Sequence, residues 1–248
     1  MNDLAPGTVT LVGGGPGDPD LITVAGLKAV QQADVVLHDR LSPAEVLDEA
    51  PDGCELVDVG KIPGGKQTPQ DEINRLLIEH ARAGRRVVRL KGGDSFVFGR
   101  GGEEWLACAE AGVPVRVIPG VSSAIAGPAL AGIPVTHRTL TQGVTIVAGH
   151  VPPGDPRSQL DWSALANTRT TLVILMGVAH LPEIAAALQD GGLVGETPAA
   201  IVANASTPQA RTLHGTLATI APLAREAAIA PPAITVIGDV AGLDLTNS

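Results

Sequence analysis

Positive charge is scarce in this chain. Seventeen Lys and Arg face 26 Asp and Glu among 248 residues, for a formal net charge of -9. A general nucleic-acid binder presents a basic face, so no nucleic-acid partner is expected. Cysteine is nearly absent. Cys54 and Cys108 are the only two, and neither belongs to a C-x-x-C pair. That argues against a cysteine-based metal site and fits a reduced, cytoplasmic protein. Both read as small buried hydrophobes, and no metal is expected. No apolar run approaches the roughly 18 residues of a membrane span. The first residues, MNDLAPGTVTLVGGG, lack a basic segment followed by a long apolar one, so no signal peptide is expected. Tyrosine is missing altogether, and both phenylalanines fall in one short stretch.

What is present is apolar, with 44% hydrophobic residues, punctuated by 30 glycines and 20 prolines. That is enough for one large α/β domain or two small ones. The stretch holding both phenylalanines, Lys91–Glu104 (KGGDSFVFGRGGEE), organises the rest. It follows the β-branched run Arg85–Leu90, which reads as a buried strand, and precedes a helix body at Trp105–Ala111. Gly92 and Gly93 carry no Cβ, so a ligand can approach their backbone. Asp94 follows at the strand's end, where ligands bind in open α/β sheets. A plain strand-to-helix turn would also use Gly-Gly, but seldom gathers Gly, Asp, Arg and aromatics together.

Further strands are expected at Thr8–Val12, Ala33–Leu37, Glu55–Val59 and Val113–Ile118, with helices at Leu21–Gln32, Gln70–Ala83 and Ala124–Ala131. The loop Gly13–Asp20 only loosely resembles a dinucleotide fingerprint: the third glycine of G-x-G-x-x-G falls on Asp18. Pro16 and Pro19 lack N–H donors, and a carboxylate repels pyrophosphate. A neutral or cationic ligand suits this loop better. Ser42 with Glu45 reads as a capping box. Gly132–Arg138 reads as a connector, which sets a domain boundary at 138/139. Beyond it, strands are expected at Gly143–Ala148, Thr170–Leu175, Pro198–Ala203, Arg211–Thr216 and Ala233–Ile237, with Arg211–Thr216 antiparallel to its neighbour after a short turn. Helices are expected from Asp161, over Leu181–Gln189 and over Leu217–Ala228.

The loops Gly13–Pro19, Asp39-Arg40-Leu41, Val59-Gly60-Lys61, Lys91–Gly102, Pro119–Ala124 and Gly132–Arg138 occur in that order. Together they resemble the tetrapyrrole methylase family, specifically in the first half and more loosely in the second. The resemblance implies two α/β domains, 1–138 and 139–248, with the active site in the cleft between them. This is the class III methyltransferase fold rather than the Rossmann-type one. It implies a cytoplasmic homodimer that uses S-adenosylmethionine, which leaves as S-adenosylhomocysteine. Cofactor contacts by motif are Pro16, Gly92, Gly93, Asp94, Val97, Ser122, Ser123, Met176 and Ala205. Asp39 is the implied proton acceptor and Lys61 the implied proton donor. The implied reaction methylates uroporphyrinogen III at C2 and C7, through precorrin-1 to precorrin-2, for sirohaem or cobalamin synthesis. With no fused dehydrogenase module expected, it stops there. Three positions depart from the family pattern: Ser95 replaces a Pro, His38 replaces a Tyr, and Val202–Thr207 (VANAST) replaces a Glu-containing motif.

The chemistry asks little of acids and bases. A sulfonium is an activated methyl donor, and the protein must chiefly align carbon, methyl and sulfur. The ring becomes cationic after attack, so Asp39 serves better by stabilising that charge than by taking the proton. Uroporphyrinogen carries eight carboxylates, and this chain is acidic. Screening limits attraction to about 8 Å at physiological salt, so local cations are needed. Arg40, Lys61, Arg100 and Arg138 are the candidates, since arginine pairs carboxylate bidentately.

Overall fold

The computed structural model describes residues 3–60, 68–243 and 245. The chain divides into two compact units, the first ending at Ser123 and the second beginning at Ala124.

In the first unit, β1 (Thr8–Gly13), β2 (Val35–His38), β3 (Glu55–Asp58), β4 (Arg86–Lys91) and β5 (Val115–Ile118) form one sheet in the order β3-β2-β4-β1-β5. Every pairing is parallel. Parallel strands need crossovers, and the helices that supply them cover both faces. Successive side chains alternate between those faces. Leu11, Val35, Leu37 and Val87 pack with Ile73, Leu77 and Ala81 of α2 (Gln70–Arg82) and Cys108 of α3 (Gly101–Glu110). Val12, Val36, Val88 and Leu90 pack with Ala29 and Val30 of α1 (Val24–Val30). Each fully buried Leu or Val side chain contributes about 1.5–3 kcal/mol.

In the second unit, β6 (Val144–Ala148), β7 (Thr171–Leu175), β8 (Pro198–Ala203), β9 (Arg211–Thr216) and β10 (Ala233–Ile237) follow the order β6-β7-β10-β8-β9. Only β6 and β7 pair in parallel. β10 runs antiparallel to β7 and β8, and β9 antiparallel to β8, as its short turn implied. One face is covered by α5 (Trp162–Ala166), α6 (Leu181–Asp190) and α7 (Ile220–Glu226), with Trp162, Ile184, Leu188 and Ile220 buried. The other face carries α4 (Ser123–Leu130). A Cβ on Gly127 would lie 2.7 Å from Ile234 Cδ1, so the small residues of α4 serve this close approach.

Three local expectations are adjusted. The helix placed at Leu21–Gln32 is a 3-10 turn, Pro19–Leu21, followed by α1, because Thr23 Oγ1 accepts from the Gly26 amide at 3.1 Å and starts a new helix there. Ser42 and Glu45 form no capping box. The segment Ala44–Glu49 is 3-10 with Pro43 at its start and no side-chain cap, and the Ser42 hydroxyl turns back toward Asp39 and Leu90. By packing, α4 and Ile133 go with the second sheet, so the turn to the second unit precedes the Gly132–Arg138 connector on which the 138/139 boundary was drawn. Among the described residues no helix is long and apolar enough to cross a membrane.

Candidate active site

The C-terminal edge of the parallel sheet brings several loops together. Beyond β1, the Gly14 amide donates to Lys91 O at 2.7 Å. Gly15 and Gly93 exchange two backbone hydrogen bonds, at 3.2 and 2.6 Å. A Cβ on Gly13 would lie 2.5 Å from Gly120 Cα and 2.7 Å from Gly93 O. Three backbones therefore meet where no side chain fits, and glycine alone permits this. Asp94 fastens the assembly. Its Oδ1 accepts from the Phe96 amide at 2.8 Å and its Oδ2 from the Gly120 amide at 2.9 Å.

The paired glycines have different surroundings. A Cβ on Gly92 would strike Leu41, at 2.7 Å from its Cβ, so that side of Gly92 is filled by the Asp39-Arg40-Leu41 loop. Gly93 sits at φ +68, and a Cβ there would stand 3.7 Å from Ser123 Oγ and 3.8 Å from the Ser123 amide nitrogen. Gly93 thus presents bare backbone beside a hydroxyl and an amide. Such polar, side-chain-free surface fits a ligand bearing hydroxyl, amino and carboxylate groups, as S-adenosylmethionine does.

Beneath these loops lies a buried charge network. Arg89 and Lys91 of β4 point to the face that α3 covers, and Glu104 in the first turn of α3 is wholly buried between them. Glu104 Oε1 accepts from Arg89 Nε at 3.1 Å, Lys91 Nζ at 2.9 Å and Gln70 Nε2 at 3.3 Å. Arg89 Nη1 donates to Leu90 O at 2.9 Å and Nη2 to Asp39 Oδ2 at 3.3 Å. Asp39 Oδ1 accepts from the Leu41 amide at 3.2 Å. Ser42 Oγ lies 3.2 Å from the same oxygen and 3.0 Å from Leu90 O, its one proton serving either. Burial, reinforced by the charge of Arg89, pulls the Lys91 ammonium below its ordinary value, against the opposing effect of Glu104.

The remaining candidates are placed as follows. Arg40 is exposed beside Asp39, and a Cβ on Gly60 would lie 2.8 Å from the Arg40 amide nitrogen, so the ends of β2 and β3 adjoin. Lys61 lies outside the described residues. Pro16, Val97 and Ser122 are half-buried. Arg100 is exposed at φ +60, and its guanidinium pairs with Glu103 at 2.6 Å. Ser95 is fully buried, and a Cβ on Gly101 would lie 2.5 Å from its carbonyl oxygen, so the loop closes tightly around it. In the second unit Arg138 is exposed, Met176 follows β7 at φ +56, and Ala205 lies between Asn204 (φ +50) and Ser206 (φ +63) after β8. Left-handed backbone is strained for non-glycine residues and gathers at functional loops.

Sequence reasoning missed Arg89, Lys91, Glu104 and Ser42. One signal was available: an arginine set between the apolar residues of the strand RVVRLK requires a buried partner.

The family model for tetrapyrrole (corrin/porphyrin) methylases matches residues 8–221. The chain belongs to the tetrapyrrole methylases. This tetrapyrrole methylase is 46% identical over 237 residues to the S-adenosyl-L-methionine-dependent uroporphyrinogen III methyltransferase of Methanosarcina barkeri, covering 96% of this chain and 93% of that protein. It is 48% identical over 237 residues to the siroheme synthase of Chromobacterium violaceum, covering 96% of this chain but 50% of that protein, so it spans half the length of that relative. Among solved structures it matches uroporphyrin-III C-methyl transferase from Thermus thermophilus complexed with S-adenyl homocysteine, at a TM-score of 0.80 and 43% identity over 94% of this chain and 98% of that one.

Proposed function

We propose that this chain methylates uroporphyrinogen III at C2 and C7, through precorrin-1, to give precorrin-2. The observation that carries the reading is the joining of Gly13, Gly93 and Gly120 under the Asp94 carboxylate at the ends of parallel strands, in a chain 46% identical to a named uroporphyrinogen III methyltransferase along nearly all of its length.

S-adenosylmethionine, when bound, supplies a methyl group on a positively charged sulfur. Gly92, Gly93, Asp94, Ser122 and Ser123 would hold it with Pro16 and Val97 in the first unit. Met176 and Ala205 join them by motif. The protein's main work is alignment, worth several kcal/mol of barrier. In each methylation a bond forms between a ring carbon and the methyl carbon. The carbon–sulfur bond breaks with its electron pair left on sulfur, and the ring then sheds a proton. Asp39 faces the charge that develops on the ring. With Arg89 donating to one of its oxygens and the Leu41 amide to the other, the charged form is stabilised, which favours a fixed anion that offsets ring charge over a free proton acceptor. Lys61 keeps its assignment as proton donor from the resemblance. Arg40, Arg100 and Arg138 would meet the substrate carboxylates, with Arg100 the weakest candidate because Glu103 already engages it. The enzyme would work as a homodimer in the cytoplasm, and its product would serve sirohaem or cobalamin synthesis.

The test is incubation with uroporphyrinogen III and isotopically labelled S-adenosylmethionine, with mass spectrometry of the oxidised product. Two labelled methyl groups are expected. No transfer by protein that binds S-adenosylhomocysteine in a calorimeter would overturn the substrate assignment.

A further inference from the structure

We propose that Arg89 is a positioning residue for Asp39, fixing the orientation in which that carboxylate meets the substrate ring. The proposal rests on the reading of Asp39 given above. Arg89 sits inside β4, between the buried Val88 and Leu90, and is 3% exposed. Burying a guanidinium there carries a large desolvation cost, and apolar replacements of buried ion pairs are often neutral or stabilising. Packing alone therefore does not account for an arginine at this point. Its donors span three sites at once: Glu104 through Nε, Leu90 O through Nη1, and Asp39 through Nη2. Glu104 is the anchor, since its side chain is 0% exposed and also takes Lys91.

Charge counting points the same way. Arg89 and Lys91 against Glu104 alone leave one uncompensated buried cation, and Asp39 brings the group to neutrality. Asp39 is also the outermost member, with a side chain 28% exposed against 3% for Arg89. The network thus presents a single carboxylate at the end of the sheet. One of its oxygens is held by Arg89, and the other by the Leu41 amide with Ser42 Oγ beside it. A guanidinium fixed at three points can hold an oxygen in place. An ammonium has its three donors on a single nitrogen and lacks the rigid fork by which Nε takes Glu104 while Nη2 takes Asp39.

The experiment is a double-mutant cycle on the full chain with Arg89→Lys, Asp39→Asn and the pair. Readouts are kcat and KM for uroporphyrinogen III, S-adenosylhomocysteine Kd by calorimetry, and Tm. Arg89→Lys should lower kcat roughly 10–100-fold, the scale of a misplaced reacting group, with the Kd unchanged. In the Asp39→Asn background the same substitution should lower kcat less than about threefold, because coupled residues are non-additive. Glu104→Asp, which draws Arg89's anchor back by one carbon, should reproduce both results and serves if Arg89→Lys does not fold. A loss that persists at full size in the Asp39→Asn background overturns the proposal, as does wild-type kcat in Arg89→Lys. Failure of both variants to fold would assign the network to the fold alone and overturn it too. Wild-type turnover in Asp39→Asn would instead sink the role of Asp39 itself.

Discussion

The Gly120 amide donates to Asp94 Oδ2 at 2.9 Å, joining residues 26 positions apart. With the second Asp94 oxygen holding the Phe96 amide, the loops after β4 and β5 become one surface. The glycines of the β1 loop complete it by backbone contact.

Glycine at 120 is required by that contact. A Cβ there would lie 2.6 Å from Gly13 Cα and strike Gly93 O. Gly120→Ala should cost about 1–3 kcal/mol from overpacking and weaken S-adenosylhomocysteine binding at least tenfold, read by thermal melting and calorimetry. Gly102→Ala is the control, since a Cβ there meets nothing within 4 Å. It should keep full affinity and gain up to about 1 kcal/mol in stability.

Asp94→Asn keeps the side chain's size but leaves one oxygen for two amide donors. The lost charge-assisted hydrogen bond should cost about 1.5–3 kcal/mol, seen as a lower urea midpoint together with weaker S-adenosylhomocysteine binding. An unchanged midpoint with unchanged binding would remove Asp94 from both roles.

Arg40 and Arg138 are exposed cations in a chain whose net charge opposes an anionic substrate. Arg40→Ala and Arg138→Ala should each raise KM for uroporphyrinogen III about tenfold, the worth of a hydrogen bond to a charged group, with S-adenosylhomocysteine affinity intact. Unchanged KM in both would take them out of the substrate site.

Asp34 joins β2 to β4 through Arg86, accepting from its guanidinium at 2.5 and 3.0 Å and from its amide at 2.7 Å. These bonds hold its carboxyl down from 3.8 to about 2. The folded value lies below the unfolded one, so the stabilisation is fully present above about pH 4 and is lost as pH falls through 2. A shift of this size corresponds to at most about 2.5 kcal/mol. The side chain is 35% exposed, and solvent screening reduces that to about 1 kcal/mol. Urea midpoints measured from pH 5 to pH 2 should fall more steeply for the native chain than for Asp34→Asn. Parallel curves would refute the linkage.

Much of this was legible in the residues. The β-branched runs Thr8–Val12 and Arg85–Leu90 marked strands, which the fold then pairs, and Gly92-Gly93-Asp94 marked the loop that Gly15 and Gly120 join. The helix at Leu21–Gln32 came out too long because a local hydroxyl cap at Thr23 competes with apolar periodicity. The Ser42–Glu45 capping box failed because Ser42 finds other partners, Asp39 three residues before it and Leu90 far along the chain.

Taken alone, the sequence determined the strands, the glycine loops and the family, because apolar runs and missing side chains are local properties of a chain. Only tertiary structure decided that Glu103 pairs outward with Arg100 while its neighbour Glu104 turns inward to Arg89 and Lys91. Two adjacent acids are indistinguishable until a helix is set against a sheet. Which of them loses its water then depends on strands whose partners lie many residues away.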